Sequence, residues 1–461
     1  MDFKRNIINI KHALNLKTPT SKSLKHQITH THFFPFLTRE PERVKFKNGF
    51  NPIVGGVTRF ICHKKECNIH DEEALIEKIM NGSSLMFETD EDKEIFRNIL
   101  KLYLFESNDQ LRIFSPYMFL FQPFSNNKEV LGERKLSSFL YDVLCGKFEE
   151  LENFLNKHQK MNLLGNLIIE QLKDLEDSGE KKQEYINKLP FIKELFQEDV
   201  RFLMKKTERF IENFPMLLAY YYFFYITQLT VKVSSFEEVD FSNPTEFYYL
   251  MDGEAAHKSR KSYTQGFNKI KELDWYLYSH LITLDHLNYL LDASGEYTYQ
   301  QLFEKFSHLT HDEQQECLTE MKAWMKEYIQ LKDVEDFSIQ GESFKELVKE
   351  YFTMIHEING ESASFKRYRL SIHEIGKKYF LKRRGSLGYM LYVTQDLLLL
   401  LTAVCIKDEK ISLNQLFIEL SKRGLFFDRY SREEIIQLFN KLNLIDKKSD
   451  SGDAQYVKPI L

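Results

Sequence analysis

The chain carries LYVTQDLLLLLTAVC at residues 391–405, then SLNQLFIEL at 412–420 and SREEIIQLFNKL at 431–442. The first stretch is apolar on most faces, which predicts a helix buried against other elements. Each of the other two opens on a serine with Gln or Glu three residues later, a capping pattern that begins a helix. These three stretches therefore predict three consecutive helices.

A hairpin is predicted directly after these helices. Residues 444–448 and 454–459 flank Ser449–Asp453, a polar turn that contains a glycine. Three helices followed by a hairpin are the order of a winged helix-turn-helix, which we predict over 388–461. Such modules bind nucleic acid or a protein partner.

Three segments are similar to a known family. They read DRYSREEI at 428–435, LNLIDKKSDSGDAQYVKP at 442–459 and LMDGEAAHKSRKSYTQG at 250–266, and they resemble the DptG family, also called DndG. The resemblance implies one subunit of a restriction complex that works beside DNA phosphorothioate modification. It also implies partners, an ATPase/nuclease subunit and a translocase-like ATPase, and restriction of DNA that lacks the sulfur mark. The family has no catalytic motif to carry over to this chain.

Charge is distributed unevenly along the chain. The 461 residues have a net charge of −5, but residues 1–66 hold 13 Lys/Arg against 4 Asp/Glu, and residues 366–461 hold 18 against 11. The centre is therefore strongly acidic. Two basic ends around an acidic body suggest that a polyanion contacts the ends, while the body faces proteins or water.

The predicted fold is mainly α, in four regions. Residues 1–70 form a basic, irregular N-terminal region, with short extended pieces at 31–37 and 56–62. Helical periodicity dominates the acidic body, 71–365, and a basic linker, 366–387, leads to the winged helix at 388–461.

Composition predicts a cytoplasmic protein without membrane spans. The 5 cysteines are scattered, and the N-terminus lacks the apolar segment of a signal peptide. Residues 216–231 are apolar but rich in tyrosine, and 387–406 contains Gln395 and Asp396 near its middle. Both are better explained as buried helices. The first is interrupted by Gln228 and is close to the minimum spanning length, and in the second a charge inside lipid is costly.

Phosphate contacts are predicted along residues 365–384, which hold eight Lys/Arg and a single acid, Glu374. Cations at this density neutralise phosphates and give an affinity for DNA that depends on salt but not on sequence. The alternative is a solvated helix face. The candidate residues are Lys366, Arg367, Arg369, Lys377, Lys378, Lys382, Arg383 and Arg384.

The predicted winged helix offers further candidates but also an objection. Its third helix should enter the major groove, yet Glu433 and Glu434 stand in the first turn and would repel phosphates. The hairpin tip carries Asp450 and Asp453. The module is thus as compatible with protein docking as with DNA. The candidate DNA contacts here are Arg432, Gln437, Asn440, Lys441, Lys447 and Lys448.

Enzyme chemistry is not expected. There is no G-x-x-x-x-G-K-[ST], G-x-S-x-G or H-E-x-x-H motif. Cys62, Cys67 and His70 resemble part of a zinc site but lack a second Cys pair, so no metal or other cofactor is assigned. Glu91 and Lys93, with Asp71 upstream, faintly resemble a magnesium-dependent nuclease, whose carboxylates need a sheet to position them.

The sequence thus favours a non-catalytic subunit that contacts double-stranded DNA and docks the ATPase/nuclease and translocase-like subunits. The alternative is a protein-binding scaffold with negligible affinity for DNA. A zinc- or magnesium-dependent nuclease is the third hypothesis, and the missing motifs weigh against it. Whether the protein senses the phosphorothioate itself is open at this point.

Overall fold

The computed structural model is mainly α-helical, as predicted. It describes the chain except residues 17–23, 30–31, 67–71, 83–84, 106–110, 158–161, 173–174, 252–257, 294–295, 336, 448–454 and 461. In the first half of the chain the helices are α1 Phe3–Ala13, α2 Asn51–Ile61, α3 Glu72–Gly82, α4 Asp90–Leu104, α5 Val130–Leu140, α6 Glu149–Asn156, α7 Leu163–Leu172, α8 Pro190–Met204 and α9 Thr207–Ser234.

Shorter helices follow α9. They are α10 Arg260–Thr264, α11 Phe267–Asp274, α12 Leu277–Leu290, α13 Tyr299–Ser307, α14 His311–Leu331, α15 Phe344–Asn359, α16 Ala363–Tyr368, α17 Leu370–Ile375, α18 Gln395–Ile406, α19 Leu413–Lys422 and α20 Arg429–Lys441. The strands are β1 Leu381–Arg383, β2 Tyr389–Leu391, β3 Ile411–Ser412, β4 Ile445–Lys447 and β5 Gln455–Val457. Among the described residues, no helix combines the length and apolar composition needed to cross a bilayer.

The chain divides into two units. Unit 1 comprises Met1–Glu40, Phe224–Val393 and Gly424–Ile435, and unit 2 comprises Pro41–Phe223, Thr394–Arg423 and Ile436–Leu461. Each unit is therefore assembled from segments that lie far apart in the sequence.

Unit 1 is organised around α12, which packs against α1 and α15. Nearly every side chain of α12 is buried, including those of His280 and His286. Tyr351 of α15 bonds two of its neighbours, since its hydroxyl lies 2.7 Å from Nδ1 of His286 and accepts from Nε1 of Trp324 at 2.8 Å. The buried polar side chains of Tyr351, His286 and Trp324 thus satisfy one another.

Unit 2 has α2 in its core, which corrects the prediction for the N-terminal region. Residues 56–62 were expected as an extended piece, but Asn51–Ile61 is a buried helix. Its glycines are required by close packing, because a Cβ on Gly56 would lie 2.3 Å from Oγ of Ser137, and one on Gly55 2.3 Å from the carbonyl oxygen of Gln122. The irregular or β arm predicted here was therefore wrong for this segment, and α1 adds a second helix near the N-terminus.

A buried ion pair joins α19 to the helices α8 and α9 within unit 2. Arg423 follows α19, and its Nε donates to Oδ2 of Asp199 on α8 at 2.8 Å, while Nη2 donates to Oδ1 at 2.5 Å. The hydroxyl of Tyr221 on α9 donates to the same carboxylate at 2.6 Å. Both charged side chains are almost fully excluded from solvent. A bidentate pair of this kind fixes the position of α19 on the two helices.

The C-terminal elements follow the order α18, β3, α19, α20, β4, β5. The strands form an antiparallel sheet in the order β3-β5-β4, with Ile411 and Ile445 both opposite Val457. The predicted strand pair at 444–448 and 454–459 is confirmed for its described residues, whereas the predicted turn Ser449–Asp453 lies outside them. The cap at Ser412 is also confirmed, since its side chain accepts from the amide of Gln415.

Two helix starts in this region were predicted wrongly. Residues 391–393 precede the first helix, which begins at Gln395 behind the cap residue Thr394. The third helix begins at Arg429, and Ser431 lies inside it, because Oδ1 of Asp428 accepts from the amide of Ser431 at 2.9 Å. An aspartate three residues upstream thus takes the capping role.

Candidate nucleic-acid interface

The strongest cationic feature of unit 1 is a short hairpin that the sequence did not reveal. Strands β1 and β2 pair antiparallel, with Lys382 opposite Met390 and Arg383 opposite Tyr389. Their connection turns at Gly385 and Gly388, whose φ angles of 52° and 74° are in the left-handed region that favours glycine. The two glycines of RRGSLGY were the available signal, but the apolar run from Leu391 was assigned to a helix.

The backbone of the buried residue Leu250 forms hydrogen bonds with the end of the hairpin. The amide of Leu250 donates to the carbonyl of Leu391 at 3.0 Å, and the amide of Val393 donates to the carbonyl of Leu250 at 3.0 Å. Leu250 and Met390 are buried together, with Leu387 packed against them. The hairpin is therefore a fixed part of unit 1, and its cations occupy defined positions.

Five cations line this feature, which we call the basic hairpin surface: Lys377, Lys378, Lys382, Arg383 and Arg384. The first two lie on the π-helical turn Gly376–Phe380 just before β1. Within the part of the chain that the structure describes, none of the five forms an ion pair with a carboxylate. Three of them instead lie over tyrosine rings. Nζ of Lys377 lies 5.7 Å from the ring centre of Tyr389, and Tyr392 faces Nζ of Lys382 at 4.8 Å and the guanidinium of Arg384 at 5.6 Å.

A second basic segment lies beside the hairpin. Helices α10 and α11 pack against β2, and α10 carries the exposed residues Arg260 and Lys261. Nζ of Lys261 lies 5.0 Å from the ring centre of Tyr248. The fold thus brings together two cationic stretches more than a hundred residues apart in sequence, which no local pattern indicated.

Of the three remaining candidates of the 366–387 segment, Arg369 faces inward, Lys366 pairs locally and Arg367 is exposed. Arg369 donates to Oδ1 of Asp274 at 3.1 Å and lies over the ring of Trp275 at 4.4 Å. Nε2 of His373 lies 2.7 Å from Oδ2 of the same buried carboxylate. Lys366 on α16 pairs with Glu361, and Arg367 beside it is exposed. Arg369 therefore stabilises the packing of unit 1. Of the candidates Lys366, Arg367 and Arg369, Arg367 presents a charge that is exposed and not paired with a carboxylate among the described residues.

Helix α20 presents few cations. The Nε of Arg432 donates to the carbonyl of Phe427 at 3.1 Å, and Arg429 pairs with Glu433 one turn later at 2.9 Å. Gln437, Asn440 and Lys441 are exposed. Lys447 lies on β4, its side chain is outside the described part, and Lys448 is outside it altogether.

The described residues do not form the metal site that the zinc and nuclease hypotheses require. There, no group of three or more His, Cys, Asp or Glu side chains is placed to hold a metal ion. Cys62 is buried, which raises the pKa of its thiol to about 12, while Cys67, His70 and Asp71 lie outside the described part. Glu91 and Lys93 lie in the first turn of α4, a helix rather than a sheet edge.

Comparison with known proteins does not assign the chain to a family. No protein-family model matches it, and no curated protein matches it. The similarity to the DptG family therefore stays a prediction from the segments quoted above.

Proposed function

We propose that this chain is a non-catalytic, DNA-associated subunit of a phosphorothioation-dependent restriction complex that acts in anti-phage defence. The basic hairpin surface carries the proposal, because Lys377, Lys378, Lys382 and Arg383 are exposed and do not pair with carboxylates among the described residues, while Arg384 is half-buried over the ring of Tyr392. Cations in that setting remain available to phosphates, and each phosphate neutralised releases counterions from DNA. The DptG-like segments supply the restriction context.

We further propose that residues 388–461 include a winged helix. Support comes from the order α18, β3, α19, α20, β4, β5 and from the central position of β5 in the small sheet. In such a module α20 is the helix that enters the major groove. Its exposed polar residues Gln437, Asn440 and Lys441 are then the candidates for DNA contact.

The partners follow from the same proposal. The acidic centre of the chain repels DNA, and an acidic surface is suited to docking basic faces of other proteins. We assign the ATPase/nuclease and translocase-like subunits to this region, and the assembly to the cytoplasm.

The alternative is a protein-binding scaffold with negligible DNA affinity. It is favoured by the first turns of α20, where Arg429 is neutralised by Glu433. In unit 2, Lys410, just before β3, is likewise paired with Asp446 of β4 at 2.6 Å. If the winged helix binds a protein, DNA contact is left to the basic hairpin surface. If that surface does not bind DNA either, the chain is a scaffold without DNA affinity.

The test is fluorescence anisotropy with a duplex, bare and phosphorothioated, over a salt series. The triple variant Lys382→Ala, Arg383→Ala, Arg384→Ala should bind roughly tenfold more weakly at low salt, with the slope of log K against log salt reduced by about 2 to 3. The charge-matched control, Lys322→Ala, Lys326→Ala, Lys349→Ala, changes cations on α14 and α15 of the same unit and should bind as the wild type does.

A second triple variant, Gln437→Ala, Asn440→Ala, Lys441→Ala, separates the two modules. Weaker binding would make α20 a DNA contact, whereas unchanged binding would leave DNA to the hairpin. Absence of binding by the wild type at low salt would replace the proposal with the scaffold. A difference between the two duplexes would show that the subunit reads the sulfur mark.

A further inference from the structure

Unit 2 contains a cavity of about 610 Å³ that the DNA proposal does not use. One wall is formed by the end of α2 and by the segment that follows it. There the amide of Lys65 donates to the carbonyl of Glu176 at 2.8 Å, and the amide of Ser178 donates to the carbonyl of His63 at 2.8 Å. The opposite side is supplied by α5 and by the loop that carries Phe124. One wall of the cavity thus has a hydrogen-bonded backbone frame.

The lining is cationic and partly apolar. Five lining residues are Lys or Arg and two are Glu, and three apolar side chains, Phe60, Phe124 and Leu175, complete the walls. A pocket with an apolar wall and a few convergent charges is the usual form of a small-molecule site, and its volume is within the usual range of such sites.

The deepest cation is held in a fixed position. Arg59 on α2 is buried, and its Nη1 donates to the carbonyls of Leu120 and Gln122 at 3.0 and 2.7 Å. Its guanidinium lies 4.7 Å from the ring centre of Phe124, and the guanidinium of Arg134 lies 5.6 Å from the same ring. Arg59 is therefore oriented before any ligand arrives, which lowers the entropy cost of binding an anion. Arg134 lies beside the same ring and donates to Glu66 at 2.7 Å.

Three cations of the rim already pair with carboxylates. Lys64 pairs with Asp177 and Lys65 with Glu176, and those two acidic side chains are 81% and 77% exposed. Arg134 pairs with Glu66 at 2.7 Å, and that carboxylate, 26% exposed, is the strongest competitor for a phosphate. Exposed ion pairs contribute little to stability, so a phosphate group with more charge can displace them. Lys78 also lines the cavity, and it has no ion-pair partner among the described residues.

We propose that this cavity binds a nucleoside phosphate. Its phosphates would contact the cations of the rim, Lys64, Lys78 and Arg134, and its base would lie against Phe60 and Leu175. Phosphate needs clustered cations, and a base needs an apolar, preferably aromatic surface. The cavity offers both within one half-open volume, independently of the basic hairpin surface in unit 1.

The test uses the full chain and a fluorescent ATP analogue, followed by anisotropy and by thermal unfolding. The wild type should bind the analogue, and ATP should displace it and raise the Tm. Arg134→Ala and Lys64→Ala should each weaken binding roughly tenfold, since each removes a charge-assisted contact. The control Lys135→Ala removes the neighbouring exposed cation on α5, outside the lining, and should bind within twofold of the wild type.

Further variants and competitors complete the design. Ser178→Trp fills the exposed rim and should abolish binding without removing a charge. Displacement by a 5′-phosphorylated oligonucleotide, but not by its 5′-hydroxyl counterpart, would identify a strand end rather than free nucleotide as the source of the nucleoside phosphate. The proposal is overturned if the wild type does not bind the analogue, if Lys135→Ala weakens binding as much as Arg134→Ala, or if both oligonucleotides compete equally.

Discussion

The end of α19 and the hairpin β1–β2 both carry arginines, but what these arginines face is different. Arg423 is buried and forms an ion pair with Asp199. In contrast, Lys382 and Arg383 are exposed, and Lys382 lies over the ring of Tyr392. The first arrangement holds helices together, and the second leaves charge available. A count of cations along the sequence therefore overstates the number that can contact phosphate.

The largest expected loss of stability comes from removing the buried arginine, in the variant Arg423→Ala. It leaves the buried carboxylate of Asp199 without its bidentate partner, and we expect the free energy of unfolding to fall by about 3–5 kcal/mol. Urea denaturation measures this loss. The double variant Asp199→Leu, Arg423→Leu should lose much less, because no charge is left buried. A loss below about 1 kcal/mol for Arg423→Ala would mean that the pair does not hold α19.

Buried histidines, like the buried arginine, affect stability, and they make it depend on pH. Burial lowers the pKa of His280 to about 3 and that of His286 to about 4. Between pH 6.5 and 4 the unfolded chain binds protons that the folded chain does not, so stability present above pH 6.5 is lost as the pH falls. We expect a loss of roughly 1 kcal/mol for each histidine between pH 6.5 and 5.5.

Denaturation at several pH values measures that slope, and His286→Gln should reduce it. The lysines and arginines of the basic hairpin surface keep their charge over this range. The salt dependence of DNA binding should therefore stay constant while the protein is still folded. A stability profile that is flat from pH 7 to 5 would contradict the prediction.

The smallest expected effect comes from a single exposed lysine. Lys378→Ala should change the free energy of unfolding by less than about 0.5 kcal/mol and reduce the slope of the DNA salt dependence by about 1. Lys410→Ala, which removes a lysine paired with Asp446, should leave the slope unchanged. Equal changes in both variants would mean that pairing does not decide which cations reach phosphate.

The sequence predicted best where the signal is local. The cap at Ser412, the strand pair 445–447 with 455–457 and the mainly helical body all follow from patterns a few residues long. The cap predicted at Ser431 was wrong because Asp428, three residues upstream, accepts from the amide of Ser431 and caps the helix instead. Gly55 and Gly56 suggested an irregular segment, although their role is to let the backbone of Gln122 and the side chain of Ser137 approach a helix.

Long-range partners were beyond prediction from the sequence. Arg369 belongs to a cationic run, yet its partner Asp274 lies 95 positions away in the chain. The proximity of α10 to the hairpin and the walls of the cavity in unit 2 depend on the same kind of contact. Such pairings are decided by the tertiary fold, and a single sequence carries no local trace of them.

The pairing of Asp199 with Arg423 has a consequence for synthesis on the ribosome. The two residues are 224 positions apart, so α8 and α9 emerge long before the cation that neutralises their carboxylate. At about 5–20 residues per second, that interval lasts from roughly ten seconds to most of a minute. During it α8 exposes the surface that α18 later covers, and apolar surface exposed in this way is what chaperones recognise.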